Sequence, residues 1–350
     1  MPKDAMTPRE RWLAVLRRQS PDRTPTDYWG TPETGEKLRR HLGAASLTDA
    51  LDLLHVDYLV NVGPRYAGPP LPPGQDAYGV AHQDMDYGTG VYPETASHPL
   101  AGMQSVAEIE ARYRWPDPDW WDYSVIPAQV RGREDRAVRG GGSEPFLIYK
   151  DLRGDVQAMV DLVEFPEIVE YCLGKLFDLA YTHTQRIYEA IPGRVELSYV
   201  AEDMGGQSDL MISPRHIRRF LLPGMQRMVN LVHSAGVCVF HHNDGNITRI
   251  LPDLVELGID ALNPIQWRAD KMDRAWLKQQ YGARLIFHGG VDNQYTLPFG
   301  TVEAVRQEVR DNLRLLGAGG GYILAPCHNI QPLTPMENIV AMYETAYQEG

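Results

Sequence analysis

The segment 242–246 carries the residues of this chain whose types and spacing best suit chemistry. His242 and Asp244 lie two positions apart after an apolar run typical of a strand, so extended backbone would direct both side chains to one face. A histidine nitrogen and a carboxylate oxygen at that spacing can bind Zn²⁺ or act as an acid/base pair. The alternative is that both hydrogen-bond a polar turn, in which Gly245 and Asn246 supply backbone freedom.

Cys327 and His328 follow another apolar run near the end of the chain. In a closed parallel barrel every strand ends on the same face, so these residues would converge with those of the first segment. The sequence therefore predicts a Zn²⁺ or other divalent-metal site held by His242, Asp244 and His328, with one open position and with Cys327 as an alternative ligand. A small buried apolar residue is an equally good explanation of Cys327.

Two further predicted strand ends add candidate catalytic residues, which are Glu202, Asp203 and His288. Adjacent carboxylates point to opposite faces of an extended backbone, so one of Glu202 and Asp203 is expected to face the cavity. We expect Glu202 to act as a metal ligand or general base and His288 to assist proton transfer. The other carboxylate is then expected to serve as a turn or helix-end acceptor.

Four polar residues near these strand ends are candidates for binding substrate. Arginine binds carboxylate and phosphate groups through its planar fork, which brings in Arg65 and Arg153. Gln207 and Asn246 belong to the polar turns that follow the two central strands.

Apolar runs that alternate with helical segments are the elements that must position these residues. Thr7-Pro8-Arg9-Glu10 combines a capping box with proline at the first helical position, and similar signals recur along the chain. Eight β-rich runs lie between the helical segments, at 26–29, 58–62, 146–149, 195–200, 237–240, 261–265, 285–287 and 322–324. Short continuous apolar runs of this kind are typical of a sheet covered on both faces, which predicts an α/β fold, a single (β/α)8 TIM barrel.

Residues 63–101 interrupt the alternation and are rich in Gly, Pro and Tyr. A connection of this length inside a compact domain is usually functional or disordered, and its aromatic content favours an ordered, hairpin-like flap over the cavity. The alternative is a packing arm. We therefore expect residues 1–350 to form a single domain with 63–101 as an insertion near the active-site face.

The bulk composition excludes several classes of partner. The 350 residues include 46 acidic and 34 basic side chains, and the net charge of −12 argues against nucleic acid or an anionic membrane surface. No window approaches the roughly 20 apolar residues of a membrane span. Three scattered cysteines and no recognisable signal peptide indicate a cytoplasmic protein.

Several short motifs are spread along nearly the whole chain: Pro21–Pro25, Gln207–Pro214, His242–Asn246, Gly289–Asp292, and Ala325–Asn329 leading to Pro335–Ile339. Taken together, these motifs resemble the uroporphyrinogen decarboxylase superfamily. The members of that superfamily are single TIM barrels and include zinc- and corrinoid-linked methyltransferases.

Two departures from the family pattern shape the expected reaction. The decarboxylases of the family have an arginine-rich stretch that binds the many carboxylates of their substrate. This chain has Asp27–Glu33 in that place, which disfavours a porphyrinogen as its substrate. The methyltransferase branch has H-x-C and a later cysteine where this chain has His242-x-Asp244 and His328. Harder donors leave a more electrophilic metal that suits a carboxylate, hydroxyl or methoxy oxygen, so alkylation of a thiol is not directly supported.

The resemblance thus implies metal-assisted methyl transfer or demethylation of a small oxygenated substrate, with a corrinoid on a partner protein. The first alternative is metal-independent decarboxylation, in which Asp203 or Asp244 stabilises charge on the substrate. A second alternative is a non-catalytic barrel that binds a small ligand or a corrinoid partner. A homodimer is compatible with all three.

Overall fold

Seven parallel strands form the central sheet of the molecule. A computed structural model describes residues 4–350, and its strands are β1 Val60–Val62, β2 Arg65–Tyr66, β3 Ala81–Asp86, β4 Val91–Ser97, β5 Trp121–Asp122, β6 Val138–Ser143, β7 Leu197–Val200, β8 Cys238–His242, β9 Ala261–Asn263, β10 Ile286–Val291 and β11 Tyr322–Pro326. The main sheet has the order β1-β6-β7-β8-β9-β10-β11, and every neighbouring pair in it is parallel. Parallel pairing places the carboxyl ends of all seven strands on one side.

Helices connect these strands and cover the sheet. They are α1 Pro8–Leu16, α2 Pro32–His41, α3 Leu47–Leu53, α4 Val106–Arg112, α5 Ile126–Val130, α6 Pro145–Arg153, α7 Asp155–Glu164, α8 Pro166–Ala190, α9 Pro214–His216, α10 Leu222–Ser234, α11 Leu251–Leu257, α12 Arg274–Tyr281, α13 Thr296–Phe299, α14 Val302–Leu315 and α15 Met336–Glu349. The capping box predicted before α1 is present between Thr7 and Glu10. Within residues 4–350, no helix is both long and apolar enough to cross a membrane.

The sheet is curled, as shown by one inner cluster in which side chains from the beginnings of all seven strands meet. That cluster consists of Leu59, Ala137, Leu197, Phe240, Ala261, Ile286 and Ile323, with Trp12 and Val15 of α1 packed against them. Side chains alternate along a strand, so the next inward positions lie two residues further on. They carry Asn61, Arg139, Tyr199, His242, Asn263 and His288 on six of the strands, and Ala325 on β11. A polar layer therefore lies directly above the apolar one.

The first of the eight predicted strands, 26–29, forms only isolated bridges. Thr26 pairs in parallel with Leu324 of β11, and the Asp27 N–H donates to the Leu324 carbonyl at 2.9 Å. The Asp57 N–H, just before β1, donates to the Thr26 carbonyl at 2.9 Å. The segment thus bonds to residues at both edges of the sheet. The structure gives a curled seven-stranded parallel sheet of the TIM-barrel kind, and the eight-strand count remains a prediction.

The strand predicted at 146–149 is wrong, because those residues lie in helix α6. The strand of this unit is β6, whose sequence Val-Arg-Gly-Gly-Gly-Ser has one β-branched residue, Val138, and no aromatic residue, so it carries little of the usual strand signal. Its glycines allow close approach to the neighbouring strand. A Cβ at Gly142 would lie 1.9 Å from the Tyr199 carbonyl oxygen, and the φ of Gly142 is +124°. Pro145 then begins α6 at its first turn.

The insertion 63–101 contains an antiparallel hairpin formed by β3 and β4, with Asp86 opposite Val91 at its tip. The β4 side of the hairpin is fastened to α6, where the Thr95 hydroxyl donates to Asp151 at 2.8 Å. Near the tip, the Val91 N–H reaches the Glu33 carboxylate of α2 at 3.5 Å. The hairpin therefore contacts α6, which follows β6, and α2, which follows the segment 26–29. Its action as a flap remains a proposal.

A buried ion-pair network explains the motif Pro21–Pro25. Asp57 is buried and accepts hydrogen bonds from Arg11 at 2.5 Å and from Arg23 at 2.7 and 3.0 Å. Its Oδ2 also accepts from the Thr26 N–H at 3.0 Å. The network ties α1 and the segment beside β11 to the approach to β1, so this motif serves the fold.

Candidate metal centre and substrate cavity

Three of the predicted ligands come together at the carboxyl ends of β8 and β11. One donor atom from each of His242, Asp244 and His328 lies within 4.8 Å of the other two. Nε2 of His242 is 3.9 Å from Oδ1 of Asp244, and Nε2 of His328 is 3.9 Å from its Oδ2. The strand β8 ends at His242, and the following turn leaves Asp244 facing the same space.

The carboxylate of Asp244 is poorly satisfied by the protein. Its Oδ1 is buried and has no hydrogen-bond partner. Burial raises the pKa of Asp244, while His242 and His328 lower it and Asp203 raises it further. A buried carboxylate oxygen without a donor is costly unless a cation or proton satisfies it. The donor set of two imidazole nitrogens and one carboxylate is one that zinc accepts.

A hydrogen-bonded chain behind His242 determines which of its nitrogens faces this space. Nδ1 of His242 lies 2.5 Å from Oδ1 of Asn263, and Nδ2 of Asn263 lies 2.7 Å from Nδ1 of His288. Nε2 of His288 in turn lies 3.1 Å from Oδ2 of Asp27. These four residues form a chain from Asp27 to the candidate centre.

The direction of the chain follows from the amide of Asn263, whose nitrogen can only donate and whose oxygen can only accept. His288 therefore carries its proton on Nε2, and its Nδ1 accepts from the amide N–H of Asn263. The oxygen of Asn263 then accepts from Nδ1–H of His242, which leaves the lone pair of His242 Nε2 directed towards Asp244. Burial lowers the pKa of His288, consistent with a neutral ring.

A cavity of about 640 Å³ lies beside the cluster. Its lining residues include Asp27, Trp29, Tyr58, Asn61, Arg139, Tyr199 and Asn329. The rings of Trp29 and Tyr199 each stack on His242 with centroids 5.7 Å apart. These two rings connect the cavity with the candidate metal ligands.

Glu144 is an acid/base candidate that the sequence reasoning missed. It lies between β6 and α6 in a recess of about 270 Å³ that shares Gly141 and Tyr199 with the cavity beside His242. Burial raises its pKa to about 7, with His242 lowering it and Asp203 and Asp244 raising it. A carboxyl group with a pKa near neutrality can give and take a proton at working pH. The signal available in the sequence was an acidic residue directly before a helix-starting proline, which is weak.

Glu202 and Asp203, the adjacent predicted carboxylates, face different surroundings. Glu202 is buried, and both of its oxygens accept from the Phe146 N–H at the start of α6, at 3.2 and 3.1 Å. Burial raises its pKa well above the ordinary value. Asp203 is one-third exposed, with Oδ1 3.8 Å from Nε2 of His242 and 3.0 Å from the Asp244 N–H. Asp203 is thus the carboxylate beside the cluster.

His288 and Cys327 lie behind the cluster rather than in it. His288 is fully buried among aromatic rings and reaches His242 only through Asn263. The Cys327 thiol donates to the Ile265 carbonyl at 3.2 Å, and burial raises its pKa well above the usual range. Cys327 is not part of the group of donors that includes His328.

The four predicted substrate-binding residues all lie away from the cavity described above. Arg153 is buried and bonded to Asp161 and to two backbone carbonyls. Arg65 is exposed and pairs with Asp122. Gln207 is exposed, whereas Asn246 is buried, donates to the Ser208 carbonyl in the segment after β7 and accepts from the Thr248 hydroxyl in its own turn. The structure brings none of the four into the lining of the cavity.

A family model described as uroporphyrinogen decarboxylase (URO-D) matches residues 145–348, more than half of the chain. The chain belongs to the URO-D family. The matched region contains β7 to β11 and therefore all of the candidate metal ligands.

Relatives in this family carry two different activities in their names. The chain is 26% identical over 208 residues to a methylcobamide:CoM methyltransferase, MtaA, of Methanosarcina barkeri, which covers 59% of this chain and 57% of that protein. It is 34% identical over 134 residues to a uroporphyrinogen decarboxylase of Thermus thermophilus, covering 37% of this chain and 35% of the relative. The alignment thus spans little more than half the length of the first relative.

A solved structure titled methyltransferase from Methanosarcina mazei has the same fold. It superposes with a TM-score of 0.69 and 22% sequence identity, covering 98% of this chain and 99% of the other. The likeness extends over the N-terminal part of the chain, which lies outside the family match.

Proposed function

We propose that this URO-D family protein is a metal-assisted enzyme that transfers or removes a methyl group on a small oxygenated substrate. The observation that carries the proposal is the convergence of His242, Asp244 and His328 around a buried carboxylate oxygen that has no hydrogen-bond partner. Support for the reaction class comes from the relative named as a methylcobamide:CoM methyltransferase.

The three residues fit Zn²⁺ or a similar divalent ion. His242 presents a lone pair fixed by Asn263, and Asp244 supplies the charge that a divalent ion requires. When bound there, such an ion supplies Lewis-acid polarisation of a substrate oxygen. Nitrogen and oxygen donors in place of thiolates favour an oxygen substrate over a thiol.

The remaining residues are assigned according to their surroundings. Glu144 holds or delivers a proton at the cavity edge, because its pKa lies near 7. Trp29 and Tyr199 exclude water and hold a flat substrate beside His242. Glu202 instead stabilises the start of α6, since its two oxygens share the Phe146 N–H. Proton transfer is therefore assigned to Glu144 rather than Glu202, and His288 is assigned a positioning role.

Metal analysis of protein purified without added metal tests the ligand assignment. We expect about one divalent ion per chain in the wild type and a large loss in His242→Ala and in Asp244→Asn, which removes charge with little change of shape. His41→Ala, at the exposed end of α2, is the matched control. Undiminished metal content in folded His242→Ala would refute the assignment.

A corrinoid carried by a separate protein is the proposed methyl donor or acceptor, supported by the methylcobamide in the relative's name.

The β3–β4 hairpin is proposed to act as the flap that closes over the cavity once a substrate is bound, supported by its contacts with α6 and with Glu33 of α2. We place the enzyme in the cytoplasm, supported by its three free cysteines.

Metal-independent decarboxylation is the second candidate, favoured by relatives named as uroporphyrinogen decarboxylases. In that reaction Asp203 or Asp244 would stabilise charge on a carboxylated substrate. The two candidates differ in one measurement, because decarboxylase activity would survive exhaustive chelation and methyl transfer would be lost and then restored by added Zn²⁺.

A further inference from the structure

Arg139 of β6 occupies an unusual place for an arginine. It lies in the polar layer above the inner apolar cluster and lines the cavity. Its guanidinium carbon is 5.3 Å from the ring centre of Trp29, 5.5 Å from that of Tyr199 and 6.0 Å from that of Phe240. The positive charge is thus held within an aromatic cage at the floor of the cavity.

The protein leaves this charge without a carboxylate partner. Nε of Arg139 donates to Oδ1 of Asn61 at 2.7 Å, while Nη1 is shielded from solvent and has no hydrogen-bond partner. Within residues 4–350, no acidic side chain lies within the 4.0 Å ion-pair distance of its guanidinium. Asp27 offsets the charge from further away, but its Oδ2 already accepts from both Trp29 and His288.

Arg139 is partly buried, whereas the arginines of the described chain that are fully buried all have carboxylate partners. Arg11 and Arg23 share the carboxylate of Asp57, and Arg153 binds Asp161 through two nitrogens. Withdrawing a guanidinium from water without a partner is costly, and burial accordingly lowers the pKa of Arg139. An anion entering the cavity would supply the missing partner.

The shape of the site favours a flat monocarboxylate. The planar fork of arginine matches the two oxygens of a carboxylate. Trp29 and Tyr199 contact both Arg139 and His242, so a ring held between Arg139 and the metal ligands would lie along these two aromatic walls. The ring centre of Trp29 lies 5.3 Å from Cζ of Arg139 and 5.7 Å from the ring centre of His242. The distance between Arg139 Cζ and the His242 ring is therefore at most about 11 Å.

We propose that Arg139 is the anion-binding residue of the cavity and that the substrate is a small aromatic carboxylate whose acid group pairs with it. This inference rests on the proposed function, because it places the other end of the substrate at His242, Asp244 and His328. It assigns Arg139 to substrate choice, and it leaves metal binding to the cluster.

Calorimetric titration of metal-free protein tests the inference independently of activity. The probes are benzoate, 4-methoxybenzoate and benzamide, the last being a neutral molecule of nearly the same shape as benzoate. We expect both carboxylates to bind the wild type and benzamide to bind at least about tenfold more weakly, because a hydrogen bond to a charged group is lost. Equal affinity for benzoate and benzamide, or no carboxylate binding at millimolar concentration, overturns the proposal.

Two variants separate this result from the metal assignment. Arg139→Gln is expected to weaken benzoate binding about tenfold or more and to retain the metal content of the wild type, and Arg139→Lys is expected to recover part of the loss. Arg131→Gln, an exposed arginine outside the cavity, is the control. Unchanged benzoate affinity in Arg139→Gln overturns the inference, whereas loss of metal in His242→Ala concerns the proposed function alone. If Arg139→Gln does not fold, the comparison of benzoate with benzamide on the wild type still decides.

Discussion

Replacing Glu144 by glutamine should make the metal-free protein more stable at alkaline pH. Burial raises the pKa of Glu144 from its ordinary value of 4.5 to about 7. Between those two values the folded chain holds the proton more tightly than the unfolded chain does. Stability therefore falls as the pH rises through this range, because ionising the buried carboxyl costs free energy only in the folded state. Glutamine keeps the shape and cannot ionise.

The size of the effect follows from the two pKa values. At pH 8 the wild type should be less stable than at low pH by about 3 kcal/mol on account of this group, and at pH 5 by only about 1 kcal/mol. The free-energy difference of unfolding between Glu144→Gln and the wild type should therefore grow by about 2.5 kcal/mol between pH 5 and pH 8. Chelated protein must be used, since a nearby divalent cation would lower the pKa.

Urea unfolding at several pH values measures this difference directly. The midpoint and slope at each pH give the free energy of unfolding for the two proteins. Glu94→Gln is the control, because Glu94 is exposed on the β3–β4 hairpin and loses no solvation on folding. Its stability curve should run parallel to that of the wild type.

Parallel curves for Glu144→Gln and the wild type would refute the reasoning. Such a result would mean that the carboxyl of Glu144 ionises as freely in the folded chain as in the unfolded one. The assignment of Glu144 as the proton donor of the cavity would then be wrong.

Two further predictions test the interactions that hold the site in place. Asn263→Leu should weaken Zn²⁺ binding by about 10- to 100-fold, because His242 loses the acceptor that fixes its tautomer. Competition with a chromogenic chelator measures this affinity, and an unaltered value would show that the hydrogen-bonded chain does not position His242. Arg23→Ala should lower the free energy of unfolding by about 3 kcal/mol in urea, since it leaves the buried Asp57 with one arginine. Arg219→Ala breaks an exposed ion pair and should change stability little, and equal effects of the two substitutions would contradict this account.

The candidate ligands could be predicted because their signal is local. His242 and Asp244 are separated by two positions at a strand end, and His328 follows another apolar strand. The rule that parallel strands end on one face is enough to bring such residues together. The choice between Cys327 and His328 could not be made in this way, because it depends on which side chain the turn directs to the Ile265 carbonyl.

One misplaced strand explains most of what the sequence reasoning missed. A strand at 146–149 instead of Val138–Ser143 places Arg139 and Glu144 ahead of the strand, rather than in it and at its carboxyl end. Four apolar residues of α6 have the composition typical of a strand. The observed strand contains three glycines, which are uncommon in strands, so its sequence does not predict one. Those glycines are needed because neighbouring backbone approaches closely, which is a property of the packed sheet and not of the segment itself.

The sequence by itself determined the alternation of strands and helices, the family resemblance and the metal-ligand candidates, since each depends on residue types at short spacing. Only the tertiary structure decided which acid faces the cavity, which arginine lacks a partner and which nitrogen of His242 is free. Those properties depend on burial and on hydrogen bonds between residues far apart in the chain, such as that between Asp27 and His288. No local pattern records them, because each side chain acquires its surroundings only when the sheet curls and its strand ends meet.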